Sequence, residues 1–84
     1  MSNTLPYIEK REIRTFTEDI SEEELVWHRD REDRIIDPVH LTDWMFQFDN
    51  QLPGKITRLL FIPKNTYHRL IKGTGDLIIR VKKL

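Results

Sequence analysis

The sequence lacks several features that would assign it to a common class of protein. None of its 84 residues is cysteine, which excludes both a disulfide framework and a thiolate metal site. Its longest uninterrupted apolar run covers only residues 59–62, too short for a transmembrane span or a signal-peptide core. It has no excess of either charge, because 14 basic side chains balance 14 acidic ones. We therefore expect a soluble, cytoplasmic protein that has neither nucleic acid nor a membrane as its main partner.

The length of the chain limits the size of its core. A chain of 84 residues forms one domain that buries only about 60–65% of its surface on folding. Such a small core is marginal, and association with a second copy would add buried surface. We expect a single domain that forms a homo-oligomer, most simply a dimer.

Short apolar segments recur about every ten residues and are separated by turn residues, without a long helical pattern or an internal repeat. The segments are Tyr7–Thr17, 25–30, 35–36, 44–48, 59–62, 68–71 and 77–82. Between the last two, Gly73 and Gly75 predict a hairpin turn over residues 72–76. Six or seven short strands at this spacing predict an all-β sandwich or barrel.

The segment after Ser21 fits two structures. Ser21 and Glu24 have the form of a helix capping box, but residues 29–34 are all charged, so an apolar helical stripe would end after one turn. As a strand, the segment places His28 and Asp30 on the same face, because side chains alternate with a period of two. We predict the strand.

A predicted turn at Pro63 places the histidine of the next strand. Pro63 donates no backbone hydrogen bond and ends the preceding strand, and Asn65 tolerates a left-handed conformation better than other non-glycine residues. The strand that follows opens with His68 and continues through Leu70 and Ile71.

This stretch resembles the second conserved motif of the cupins, G-x5-P-x-G-x2-H-x3-N. Pro63 and His68 match as they stand, while Asn65, Thr57 and Lys72 replace the turn glycine, the leading glycine and the final asparagine. The first cupin motif, H-x-H-x3-4-E-x6-G, is less complete here. His28 matches its first histidine, Asp30 stands at the second, and Arg34 stands where the glutamate would be.

The resemblance implies a small double-stranded β-helix, the cupin-like jelly-roll barrel. Residues 1–20 would form an N-terminal edge strand and arm, and residues 24–84 the barrel. Because Arg34 replaces the usual glutamate, the metal ligands it implies are His28, Asp30 and His68. Two histidines and one carboxylate are also the composition of a facial triad, which binds Fe, Mn, Ni or Zn and leaves coordination positions open.

Three functions are consistent with these residues. In the first, a divalent metal lies in a pocket walled by Trp44, Phe46 and Phe48, where a small organic acid or sugar would bind. In the second, there is no metal, and a small polar ligand is held by Arg34, Gln47 and Tyr67. In the third, the barrel edges serve only structure and oligomerisation. The sequence pairs no nucleophile with a general base, so enzymatic activity stays open.

Overall fold

A computed structural model of the chain describes residues 7–84, which form eight β-strands and one short 3-10 helix. The strands are β1 (Ile8–Lys10), β2 (Ile13–Phe16), β3 (Arg34–Pro38), β4 (Met45–Phe48), β5 (Gly54–Lys55), β6 (Leu60–Ile62), β7 (His68–Ile71) and β8 (Leu77–Lys83). The prediction of an all-β fold is confirmed. No helix in this part of the chain has the length and apolarity needed to cross a membrane.

The strands form two antiparallel sheets. The larger sheet has the order β1-β2-β8-β3-β6 and the smaller has the order β5-β4-β7. The pairing is nested along the chain: β2 pairs with β8, the segment at His28 makes an isolated bridge to β7, β3 pairs with β6, and β4 pairs with β5. Two further pairings, β3 with β8 and β4 with β7, join these nested pairs into the two sheets.

The core lies between the two sheets and follows the period-two alternation of the strands. In β8 the side chains of Leu77, Ile79 and Val81 are buried, while Arg80 and Lys82 are exposed. Trp44, immediately before β4, is fully buried, and Phe46 within β4 is nearly so. Aromatic and branched residues at alternate positions thus close the space between the sheets.

The predicted hairpin over residues 72–76 is wrong, because β7 and β8 belong to different sheets and do not pair. The segment crosses from one sheet to the other and is fixed to the residues before β4. The carboxylate of Asp43 accepts hydrogen bonds from the backbone N–H and the hydroxyl of Thr74, at 2.7 and 2.5 Å. A Cβ atom on Gly73 would lie 2.6 Å from the backbone nitrogen of Trp44, so this crossing requires a residue without a side chain.

The N-terminal region is a hairpin and not one irregular strand. Arg11, with a φ of 60°, turns the chain between β1 and β2. β1 is the edge strand and is exposed along its length, whereas β2 lies inside the sheet between β1 and β8. The prediction of an arm also covers residues 1–6, which lie outside the part of the chain described by the structure.

The predicted strand over residues 25–30 is reduced to a single bridge. Ser21 caps the 3-10 turn Glu22–Glu24, accepting a hydrogen bond from the backbone N–H of Glu23 at 3.2 Å. Beyond His28 the backbone carbonyl of Asp30 accepts from the N–H of Asn65, at 2.7 Å. The chain leaves the strand path because its polar groups pair with the turn after β6 instead of a neighbouring strand.

The stretch at residues 59–62 is less buried than its apolar composition predicts. β6 is an edge strand, in which Ile62 is buried in the core and Leu60 is packed against it, partly buried. Leu59 and Phe61 are 62% and 46% exposed. An edge strand is paired with a neighbour on one side only, and one of its faces points away from the core. Apolar residues on that face can therefore stay exposed to solvent.

Candidate metal centre

His68 is held in place by the turn that precedes it. Asn65 adopts a φ of 62°, the left-handed conformation predicted for this position, and the chain then enters β7 with His68 as its first residue. The side chain of His68 is 5% exposed and stacks on Phe46, with ring centroids 5.4 Å apart. A buried, stacked ring at the start of a paired strand has few alternative positions.

His28 and Asp30 come from the irregular segment beside β7. The backbones of His28 and His68 exchange two hydrogen bonds, at 3.0 and 2.9 Å, which places the two residues directly opposite each other. The carboxylate of Asp33 accepts from the backbone N–H of Lys64, at 2.8 Å, and ties the same segment to the turn. His28 is exposed, whereas the Asp30 side chain is only 10% exposed.

The three predicted ligands converge, so the residues present fit a metal ion. One ligand atom from each of His28, Asp30 and His68 lies within 4.8 Å of the others. His68 Nε2 and Asp30 Oδ2 are 3.4 Å apart. Two ligands bound tetrahedrally at about 2.05 Å are about 3.3 Å apart, so this pair already has the spacing of a coordinated pair. The exposed His28 is the member with room to adjust.

The hydrogen bonds of both imidazole rings leave the same nitrogen available. His28 Nδ1 lies 3.0 Å from the carbonyl oxygen of Val26, and His68 Nδ1 lies 2.7 Å from that of Thr66. A carbonyl only accepts hydrogen bonds, so each Nδ1 carries a proton, and in the neutral ring each Nε2 presents its lone pair. Metal-binding histidines commonly show this arrangement, in which a carbonyl orients the ring.

Burial makes the neutral form of His68 easier to keep. Desolvation lowers the pKa of His68 below its ordinary value, and the nearby charges of His28 and Arg34 lower it further, against the opposing effects of the Thr66 carbonyl and Asp30. A neutral imidazole is the form that binds metal. It also places a lone pair on Nε2 opposite the carboxylate of Asp30.

Arg34 is not a candidate metal ligand, and its guanidinium lies beside the carboxylate of Asp30. Its Nη1 lies 3.4 Å from Asp30 Oδ1, and its Nη2 donates to Glu32 Oε1 at 2.8 Å. The hydrogen bond from Arg34 is the main cause that lowers the pKa of Glu32. Within the charged run 29–34, Asp30, Glu32 and Arg34 thus form ion pairs with one another. Arg34 binds one oxygen of Asp30 and leaves the other, Oδ2, facing His68.

A cavity of about 360 Å³ lies between the two sheets and reaches the cluster. Its wall is mostly apolar and includes Phe16 and Ile36 from the larger sheet and Phe46 and Leu70 from the smaller one. The polar residues that line it are His28, Asp30, His68, Arg34 and Arg14. The candidate ligands therefore lie in the wall of a concave space that is partly open to solvent, on the side of the exposed His28.

Only two of the predicted ligand-binding residues line this cavity. Arg34 and Phe46 do so. Trp44 is packed in the core with its indole N–H donating to the Gly75 carbonyl, at 3.0 Å, and Phe48 packs edge-on against Phe46, behind the wall. The expected pocket wall of three aromatic residues thus reduces to one, since the others are used for packing.

Gln47 and Tyr67 lie elsewhere. Gln47 alternates with Phe46 in β4 and so faces the opposite side of the sheet, where it binds Arg69 at 3.0 Å and the Gln51 carbonyl at 2.9 Å. Tyr67 precedes His68 and is 44% exposed, beneath the guanidinium of Arg29. Neither side chain lines this cavity, so the structure does not bring them together with Arg34 as the prediction expects.

Arg14 is a cavity residue that the sequence reasoning missed. It lies in β2 and is 9% exposed, a low value for an arginine. The signal was its position two residues before the buried Phe16, which puts both side chains on the inner face of the strand.

Comparisons with protein-family models, with curated proteins and with solved structures gave no match for this chain. The resemblance to cupins therefore stays a prediction based on two short motifs. What the chain does has to be inferred from the cluster and the cavity themselves.

Proposed function

We propose that this protein binds a divalent transition-metal ion through Nε2 of His28, Oδ2 of Asp30 and Nε2 of His68. The observation that carries the proposal is the 3.4 Å approach of His68 Nε2 to Asp30 Oδ2. In the tautomer set by Thr66, both atoms present lone pairs, which repel each other unless a cation lies between them. The low pKa of His68 disfavours a proton as that cation. A metal ion would satisfy both atoms at once.

The ligand set favours particular metals and leaves room for a further group. Imidazole and carboxylate suit Zn²⁺, Fe²⁺, Mn²⁺ and Ni²⁺, and three protein ligands leave at least one coordination position open. The cavity beside the cluster supplies space for a small molecule at that position. When bound, such a metal would supply a Lewis acid next to a mostly apolar chamber.

We also propose that the fold is a small jelly-roll barrel of the cupin type. If the segment at His28 counts as a strand, the eight segments from β2 to β8 pair first with last, second with seventh, third with sixth and fourth with fifth. A long antiparallel ribbon wrapped into two facing sheets has this nested pairing, and the jelly roll is its usual form. The positive φ of Asn65, where the cupin motif has glycine, supports the same assignment.

A chelator competition tests the metal site. The purified protein is titrated with Zn²⁺ and Co²⁺ against a chromophoric chelator, beside Asp30→Asn, which keeps the shape of the side chain, and His68→Ala. His40→Ala is the matched control, because His40 is exposed and bonds only to the neighbouring Leu41 carbonyl among residues 7–84. We expect one ion per chain in the wild type and in His40→Ala, and loss of tight binding in the other two. Equal binding by folded wild type and Asp30→Asn would overturn the proposal.

A further inference from the structure

A second charged group lies in the cavity wall, separate from the candidate ligands. The Arg14 side chain, 10% exposed, extends from the inner face of β2. Its guanidinium lies over the ring of Tyr7, 4.5 Å from the centroid, and its Nε donates to Glu9 Oε2 at 3.1 Å. These two contacts fix the plane of the guanidinium and hold the side chain in one orientation.

The outer edge of this guanidinium has no protein acceptor within residues 7–84. Its hydrogen bond to Glu9 uses Nε alone, and the two terminal nitrogens make none to this part of the chain. Arg34 differs, because its three nitrogens are directed to Glu32 and Asp30. Of the two arginines in the cavity wall, Arg14 is thus the one with a planar pair of donors to offer a ligand.

The charges at the cavity are largely paired. Arg14 lies beside Glu9, and Arg34 lies beside Glu32 and Asp30. Within residues 7–84, the two terminal nitrogens of Arg14 are thus the donors left for an anion, and a bound divalent metal would add positive charge to the cavity wall.

The apolar residues of the cavity wall favour a ligand whose uncharged part is a hydrocarbon. Phe16 in β2, two residues from Arg14, lines the same cavity together with Ile79 and Val81 of β8, the strand paired with β2. A volume of about 360 Å³ lies at the lower end of the range for small-molecule pockets. A fully hydrated sugar would leave its hydroxyls without partners along such a wall, whereas a hydrocarbon chain or ring would gain contacts.

We infer that the cavity binds an amphipathic organic acid, whose carboxylate is held by the terminal nitrogens of Arg14 and whose apolar body lies along Phe16, Ile79 and Val81. The two-pronged guanidinium matches the two oxygens of a carboxylate. The inference deepens the proposed function in that it names a ligand class for the same cavity, but the Arg14 contact does not require the metal. The two proposals can therefore fail separately.

Calorimetric titration with octanoate tests the inference, on the zinc-loaded protein and on the protein stripped with a chelator. Octanol and octylamine are the matched probes, since they share the hydrocarbon chain and differ in the head group. Arg14→Gln removes both the charge and the planar pair of terminal donors. Arg14→Lys keeps the charge but not the planar pair of donors. Arg80→Gln is the control variant, because Arg80 is exposed on β8. Zinc content and circular dichroism are measured on every sample.

Octanoate should bind both forms of the wild type and of Arg80→Gln, and octanol and octylamine should bind at least about tenfold more weakly. Arg14→Gln should lose about tenfold or more in octanoate affinity while keeping its fold and its zinc, with Arg14→Lys in between. Octanoate binding by stripped protein that depends on Arg14 would support the inference even if zinc is not retained. Equal affinities for octanoate and octanol, no octanoate binding, or binding that needs zinc but not Arg14 would overturn it.

Discussion

The two segments that bring the candidate ligands together are built in opposite ways. The segment at 63–71 is a turn followed by a strand, and β7 is hydrogen-bonded to β4 along its whole length. The segment at 25–33 has no regular structure beyond one bridge at His28. His68, from the first segment, is 4% exposed, whereas His28, from the second, is exposed.

The difference shows how a small two-sheet protein can hold two candidate ligands, His68 and Asp30, in place while the third, His28, stays adjustable. His68 and Asp30 already have the spacing of two coordinated ligands. A ligand atom of His28 lies within 4.8 Å of theirs, and the side chain of His28 is exposed to solvent. It can therefore move to become the third ligand. Metal binding would then order the 25–33 segment more than the 63–71 segment.

The largest expected effect comes from removing a ligand of the buried pair, His68 and Asp30. His68→Ala should weaken zinc binding by more than about 100-fold, while His28→Ala should weaken it by about tenfold, because the buried pair can still hold the ion with water in the third position. Chelator competition on the two variants measures the ratio. Equal losses would mean that both segments are equally preorganised.

A second test disrupts the turn at Asn65, which positions His68. Asn65 has a left-handed backbone, which costs other L-residues roughly 1–2 kcal/mol, so Asn65→Ala should reduce the free energy of unfolding by about 1 kcal/mol. Asn65→Gly should leave it within about 0.5 kcal/mol of the wild type, since glycine accepts this conformation. Urea unfolding of the metal-free proteins provides the comparison. A destabilised glycine variant and an unaffected alanine variant would contradict the role given to the turn.

The link between the two segments can be tested with a matched pair of carboxylates. Asp33 accepts from the backbone N–H of Lys64 at 2.8 Å, and Asp76 accepts from that of Glu18 at the same distance, away from the cluster. Asp33→Ala and Asp76→Ala should each cost about 0.5–1.5 kcal/mol of stability. Only Asp33→Ala should also weaken zinc binding, severalfold. Weaker zinc binding in both variants would assign the effect to general destabilisation.

The smallest expected effect is a pH dependence of stability that comes from the buried histidine, His68. Since burial lowers the pKa of His68, the unfolded chain takes up this proton at a higher pH than the folded protein does. Stability of the metal-free protein should therefore fall as the pH drops below about 6.5, the ordinary pKa of histidine. Urea unfolding at pH 7.5 and 5.5 should show a smaller fall for His68→Gln than for wild type, with His40→Gln behaving as wild type. An unchanged fall in His68→Gln would contradict the prediction.

The same contrast explains which features the sequence could predict. The turn and β7 follow from local rules, because Pro63 ends a strand and Asn65 accepts a positive φ wherever they occur. The alternation that buries Trp44 and Phe46 is equally local. The strand at 68–71 and the left-handed Asn65 are confirmed, as is the convergence of His28, Asp30 and His68, whereas Trp44 lies in the core and not in the predicted pocket wall.

The features that were not predicted depend on pairing between distant parts of the chain. Residues 72–76 look like a hairpin locally, and only the sheet order shows that they cross between sheets. The 25–30 segment alternates like a strand, yet its backbone bonds to a turn more than thirty residues away. Local alternation puts Arg14 on the same face of β2 as Phe16, but only the pairing of β2 with β8 shows that this face lines a cavity.

The most direct test of the metal site is a long-range ¹H–¹⁵N correlation spectrum of the histidine rings, recorded on metal-free protein and during a zinc titration. Before zinc, His28 and His68 should each show a protonated Nδ1 and an unprotonated Nε2, as their bonds to the carbonyls of Val26 and Thr66 require. At one equivalent of zinc, the Nε2 signals of both rings should shift together, while those of His40 stay in place. Unshifted Nε2 signals of His28 and His68 in folded protein at excess zinc would contradict the proposed site.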